Sequence, residues 1–190
     1  MPHVDFPQTY CRIGVGRRDI TPPVGIYHRM WGAATHDRAT GVHRPLLATA
    51  LAVAPLDERG ANDATTTPRV VVAVDHCLFW PEEMEILRTT VARDAGLEPQ
   101  ELHIALSHTH AAGLMDPARA NLPGGELIAD YLELLARRVG EAADEAVLTM
   151  RPARIVYGPG RCDLAQHRED RKSTRLNSSH SRASRMPSSA

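Results

Sequence analysis

No Cys-x-x-Cys pair occurs in this chain, and its three cysteines, Cys11, Cys77 and Cys162, lie far apart. That excludes a disulfide framework and a thiolate zinc site, and leaves buried reduced thiols as the expectation. Neither sign of charge dominates: 22 basic and 23 acidic residues give a net charge of -1 at pH 7. The concentrated positive charge of a nucleic-acid surface or a polybasic membrane anchor is therefore missing, and no nucleic-acid partner is expected. No apolar run approaches the roughly 18–20 residues of a membrane span. The opening Met1-Pro2-His3-Val4-Asp5-Phe6 lacks the basic-then-apolar order of a signal peptide, so a cytoplasmic location is expected. No internal repeat is visible. What remains, 43% hydrophobic and 24% charged residues over a length of 190, is globular and suits one domain or part of a larger one.

The composition changes at Asp170. From there to Ala190 the chain is too poor in apolar residues to offset the entropy of ordering, which predicts a disordered basic tail. The run Asp170-Arg171-Lys172-Ser173-Thr174-Arg175-Leu176-Asn177-Ser178-Ser179-His180 also resembles what a common sequencing-library adaptor encodes in one reading frame. Residues 170–190 are accordingly expected to be an artefactual tail, and 1–169 the part that folds. Without Asp170 and the five basic residues of the tail, 22 basic and 23 acidic residues become 17 and 22, a net charge of -5.

Within 1–169 the pattern predicts an α/β domain with a partial mixed or parallel sheet and flanking helices. Residues 10–15 read as a first strand and 14–23 as the turn after it. The Gly14-x-Gly16 pair is not a dinucleotide loop, because Thr21-Pro22-Pro23 forbids the helix that must follow. Residues 24–40 have neither helical nor strand period and carry Gly25, Tyr27, His28, Trp31, Gly32, His36 and Asp37, a long loop of the kind that is more often functional than ornamental. Apolar residues 46–54 and 69–74 read as two strands joined by a polar hairpin loop over 57–68. Val70-Val71-Val72-Ala73-Val74 is apolar at every position, the signature of a strand covered on both faces, and it ends in Asp75-His76. Residues 81–95 predict a helix, with Pro81 in the first turn, Glu82, Glu83 and Glu85 at the positive end and Gly96 as terminator. Residues 102–107 form the next strand, parallel to 69–74 through a right-handed crossover. After a loop over 113–125, residues 126–150 predict a long helix whose stripe Ile128, Tyr131, Leu132, Leu135, Val139, Ala142, Ala143 and Ala146 is core. A short strand over 154–157 closes at Gly158-Pro159-Gly160.

The chemistry gathers where 102–107 ends, at Ser107-His108-Thr109-His110-Ala111-Ala112-Gly113. If the backbone stays extended, alternation puts His108 and His110 on one face, two imidazoles aimed at one space. Imidazole is a common zinc ligand, and strand ends in open α/β sheets are where such folds keep their sites. The crossover brings Asp75, His76, His108 and His110 to one rim. His43 and His76 are further candidates; polar loop content is the plain alternative for the histidine pair, and a turn cap is the alternative for Asp75.

Five pieces in order, Gly14-x-Gly16-x-x-Asp19-Ile20-Thr21, Gly41-x-His43 before an Ala-rich strand, a valine strand ending in Asp75, His108-Thr109-His110, and Tyr157-Gly158-x-Gly160, together resemble the N-terminal part of the neutral, non-lysosomal ceramidase family over residues 12–168. The resemblance implies a zinc-dependent amide hydrolase that splits N-acylsphingosine into a fatty acid and sphingosine, a role in sphingolipid metabolism, and an N-terminal fragment of a larger α/β catalytic domain. It implies zinc as cofactor, His108 as zinc ligand, and His110 beside the substrate amide. The family's other ligands, a His, a Glu and a Tyr, lie further along its chain and have no counterpart here. Where the family continues Ser-Gly-Pro-Gly, this chain has Ala111-Ala112-Gly113-Leu114.

On that reading zinc lowers the pKa of a water toward roughly 7 and polarises the amide carbonyl. His110 donates a hydrogen bond to the developing oxyanion, worth roughly 3 kcal/mol, and Asp75 orients an imidazole. Two other readings stand beside it. One is a catalytically inert chain with at most a partial metal site; the other is a different metallohydrolase, such as an amidohydrolase-type barrel, which would continue in repeated strand–helix units.

Overall fold

The computed structural model describes residues 7–30, 34–56 and 66–162. Five strands and two helices carry the architecture: β1 (Gln8–Asp19), β2 (Leu47–Pro55), β3 (Arg69–Val74), α1 (Pro81–Asp94), β4 (Leu102–Leu106), α2 (Ile128–Leu148) and β5 (Arg151–Val156). They form one mixed sheet in the order β4-β3-β2-β1-β5. β1 pairs antiparallel with β2 and β5, β2 pairs antiparallel with β3, and β3 and β4 run parallel. The expected hairpin and the expected βαβ crossover are both present, and the fold is α/β. The tail from Asp170, and residues 57–65 of the hairpin loop, lie outside the described residues.

The helices begin and end where their sequence says they should. Pro81 opens α1, where its missing N–H costs nothing, and Glu82 and Glu83 sit at the positive end of its dipole. α2 lays Tyr131, Leu135, Val139, Ala142, Ala143 and Ala146 on the sheet as a buried stripe. Both helices pack into one core with Ala48, Ala50, Ala52, Val70, Val72 and Val74. Arg18 at the end of β1 ties the strand to α2 through Glu141 at 3.2 Å and through Glu145.

Three features depart from the sequence reading. β1 does not turn after Val15 but runs on to Asp19, with Gly14 and Gly16 inside the strand. Their role is close approach: a Cβ on Gly14 would lie 1.8 Å from the Ala146 carbonyl oxygen, and one on Gly16 would lie 2.0 Å from that of Ala142. Bare backbone is what lets α2 sit directly on β1. β5 starts three residues before the expected 154 and includes Pro152, which is tolerated because the strand lies at the edge of the sheet. Finally, β3 is not covered on both faces among the described residues. Both helices lie on the side of Val70, Val72 and Val74, and on the other side Val15, Leu51 and Val71 are 51%, 40% and 44% exposed. The register sets these three in one row across β1, β2 and β3.

Candidate metal centre

The site sits where the two parallel strands stop. β3 and β4 are in register to Val74 opposite Leu106, and the Ser107 N–H donates to the Val74 carbonyl at 3.1 Å, so the two chains leave the sheet side by side. A parallel pair joined by a helix puts both C-terminal ends on one rim, which is why residues 31 positions apart meet there.

Beyond β3 the chain turns tightly. The Asp75 N–H donates to the Leu47 carbonyl at 2.9 Å, and its Oδ2 accepts from the Leu47 N–H at 3.0 Å, so the carboxylate clamps the first residue of β2. His76 is fully buried and stacks on Phe79, with ring centroids 4.1 Å apart, and beyond it on Tyr131 at 6.5 Å. Neither ring nitrogen of His76 has a hydrogen-bond partner among the described residues. Burial holds its pKa down at about 4; the Leu78 backbone opposes that shift without meeting hydrogen-bond geometry. Cys77, also buried, turns its sulfur toward the other strand end, and burial pushes its thiol pKa up.

Beyond β4 the backbone does not stay extended. His108 adopts φ +57°, the left-handed region, and among the described residues it is the only non-glycine to do so. His110 opens a one-turn 3-10 helix, His110–Ala112, capped by Thr109, whose Oγ1 accepts from the Ala111 N–H at 3.3 Å. Alternation along a strand is therefore not what unites the two histidines. The turn does so instead, placing their ring centroids 5.4 Å apart with the planes inclined at 59°. Cys77 Sγ lies 3.9 Å from both Nδ1 and Nε2 of His108. One donor atom each from Cys77, His108 and His110 falls within 4.8 Å of the others, a group that can hold a metal ion.

A cleft of about 490 Å³ opens beside this group, lined by Thr21, Ile26, His28, His43, Asp75 and Thr109 among others. His28, from the long loop, reaches the His-Thr-His turn: its Nε2 lies 3.0 Å from the Ala111 carbonyl oxygen, and its ring stacks on His36 with centroids 5.7 Å apart. Of the residues singled out in the sequence, His108 and His110 come together, and Asp75 shares their rim but spends its Oδ2 on Leu47. His43 lines the cleft, and His76 is core. Cys77 was missed. The available signal was position: it lies three residues past Val74, as His108 lies two past Leu106, on neighbouring strands whose ends coincide.

No family model matches the chain, and no curated protein matches it in sequence. Solved structures do. A crystal structure of neutral ceramidase from Pseudomonas aeruginosa superposes with a TM-score of 0.55 at 17% identity, over 78% of this chain and 23% of that one. A ceramidase complexed with C2 superposes with a TM-score of 0.55 at 19% identity, over 78% of this chain and 22% of that one. The chain spans less than a quarter of the length of either. These likenesses establish an architecture: the chain has a ceramidase-like α/β fold, with a Cys/His/His group at the shared end of its parallel strands.

Proposed function

We propose that this chain is the N-terminal part of the catalytic domain of a zinc-dependent amide hydrolase acting on an N-acyl lipid of the ceramide type. The observation that carries the reading is the meeting of the His108 and His110 rings at the C-terminal rim of two parallel strands, beside an open cleft. The donor set suits the metal: imidazole and thiol nearby are borderline-soft ligands of the kind zinc takes, and hard oxygen-seeking cations do not. When bound, zinc supplies Lewis acidity, acidifying a water to a pKa near 7 and polarising a carbonyl.

The chain's own residues have distinct tasks in this reading. His108 holds the metal, its ring set by the left-handed backbone rather than by the strand. His110 donates a hydrogen bond to the amide oxygen as negative charge grows on it; Thr109 and Ala111, its neighbours, line the cleft in which the substrate lies. Asp75 is a positioning residue that acts through Leu47, fixing the start of β2 against the rim. The open row Val15, Leu51 and Val71 is the face on which the remainder of the domain packs.

The chain by itself is read as non-catalytic, since its described residues bring three donors together and the neighbours are more than four times its matched length. An amidohydrolase-type barrel is not favoured: the described sheet contains one βαβ unit among antiparallel pairings, not repeated βα units. The test is to extend the coding sequence past Glu169 from the native gene and assay the longer protein for fatty-acid release from N-acylsphingosine. Stoichiometric zinc and turnover, both lost in His108→Ala, are expected. Unchanged zinc content in His108→Ala, or a longer protein that leaves the amide intact, overturns the proposal.

A further inference from the structure

The sulfur at this rim has no place in the ligand set that the family resemblance carries, which takes only His108 to the metal. We propose that Cys77 is itself a metal ligand, and that Cys77, His108 and His110 form a three-donor site by which this chain alone holds a thiophilic divalent cation, zinc foremost. The inference rests on the reading of His108 as a ligand but on no hydrolytic activity.

Four observations carry it. A tetrahedral ion with metal–sulfur bonds near 2.3 Å and metal–nitrogen bonds near 2.0–2.1 Å requires donor separations of roughly 3.3–3.6 Å. Cys77 Sγ lies 3.9 Å from each ring nitrogen of His108, and all three donors fall within 4.8 Å of one another, so donor separations have to shorten by a few tenths of an ångström to at most about 1.5 Å to close the site. Sγ is equidistant from Nδ1 and Nε2, so either ring nitrogen of His108 lies within the same reach of the sulfur. The three donors come from two turns that are braced against each other by the Ser107–Val74 hydrogen bond, and not from one mobile loop. The strained backbone of His108 is the fourth, since left-handed residues other than glycine concentrate at sites where a side chain must be aimed.

The chemistry of the set determines what it takes. One thiolate and two neutral imidazoles leave a divalent ion with a net positive charge and an open fourth position, and they favour zinc, cobalt and cadmium over magnesium and calcium. In a longer polypeptide that brings its own downstream ligands His110 serves the amide; in this chain it serves the cation.

The experiment titrates cobalt(II) into the full chain carrying Cys162→Ser, so that the exposed Cys162 contributes no sulfur, and follows the near-ultraviolet sulfur-to-cobalt charge-transfer band and the visible d–d bands. Zinc competition then gives affinity. The charge-transfer band is expected in this parent and absent in Cys77→Ser. Zinc affinity is expected to fall by at least the roughly 10–100-fold seen for outer partners of metal sites, both in that variant and in His110→Ala. Cys77→Ala, checked by far-ultraviolet circular dichroism, repeats the test without a hydroxyl. Cobalt bound with d–d bands but no charge-transfer band, at equal affinity in parent and Cys77→Ser, overturns the role of Cys77 and leaves His108 and the hydrolase reading intact. No cobalt bound at stoichiometric concentration overturns the self-contained site, while the longer protein's activity still decides the hydrolase.

Discussion

His108 is the place where stability and metal binding pull in opposite directions, and substitution there separates the two. Its φ of +57° costs a non-glycine residue about 1–2 kcal/mol. Glycine does not bear that cost, but it returns about 0.5–1 kcal/mol through the greater freedom of its unfolded chain. The exposed imidazole contributes little burial. Without metal, His108→Gly is therefore expected to be equal to the parent or up to about 1.5 kcal/mol more stable, whereas His108→Ala keeps the strain. The two variants should differ by roughly 1 kcal/mol in favour of glycine, or about 2–4 °C in melting temperature for a chain of this size. Zinc reverses the ranking. At 100 times its dissociation constant a ligand stabilises the folded state by about 2.7 kcal/mol, and only the parent keeps the full donor set. The assay is urea unfolding followed by circular dichroism, once with chelator and once with zinc. The reasoning fails if alanine proves as stable as glycine in chelator, since the backbone is then not held left-handed. It fails equally if zinc raises the midpoints of all three proteins alike.

Gly16→Ala sets a methyl 2.0 Å from the Ala142 carbonyl oxygen, so α2 has to lift; a loss of about 2–3 kcal/mol in urea unfolding is expected, and a loss below about 0.5 kcal/mol contradicts the close packing. Asp75→Ala deletes a charged acceptor of the Leu47 N–H and is expected to cost about 1.5–3 kcal/mol while changing cobalt affinity by less than about tenfold; a larger affinity change, of the size typical for ligand-orienting groups, would give the carboxylate that role instead. His76 has its pKa depressed from 6.5 to about 4 by burial. The unfolded chain therefore binds the extra proton between those values, and stability is fully present above pH 6.5 and lost as pH falls to about 4. The loss is about 3 kcal/mol, measurable as a drop in urea midpoint in chelator and removed by His76→Phe.

Most of the sheet could be read from the residues because its determinants are local. Pro81, the acidic first turn and Gly96 bound α1, and the run Arg69–Val74 is β-branched enough to be nothing but a strand. The crossover placing Asp75 and His108 on one rim follows from handedness, which needs no atomic detail. What escaped the sequence lies in tertiary contact. Val71 looks like a core residue, yet whether a strand is covered on one face or two depends on what packs there, and both helices chose the side of Val70 and Val72. Gly14 and Gly16 look like turn formers, because only the approach of Ala142 and Ala146 reveals why the strand needs them. The His-Thr-His pair converges as expected but by another route, a left-handed residue followed by a 3-10 turn. Cys77 has no local signal: a lone cysteine acquires meaning only from a neighbour 31 residues away, which the coinciding ends of β3 and β4 bring to it.

The two glycines of β1 act as a spacer of zero thickness. Tyr131, about three turns of helix from Ala142, donates its hydroxyl to the Ile20 carbonyl at 2.9 Å, and the Ile20 N–H in turn donates to Leu46. Ile20 is followed by Thr21, the first wall of the cleft. Any shim inserted beneath α2 at Gly14 or Gly16 therefore travels along the helix as a lever does and shifts that wall, so the calibre of the opening beside His108 is gauged by two positions that contribute no side-chain atom to it.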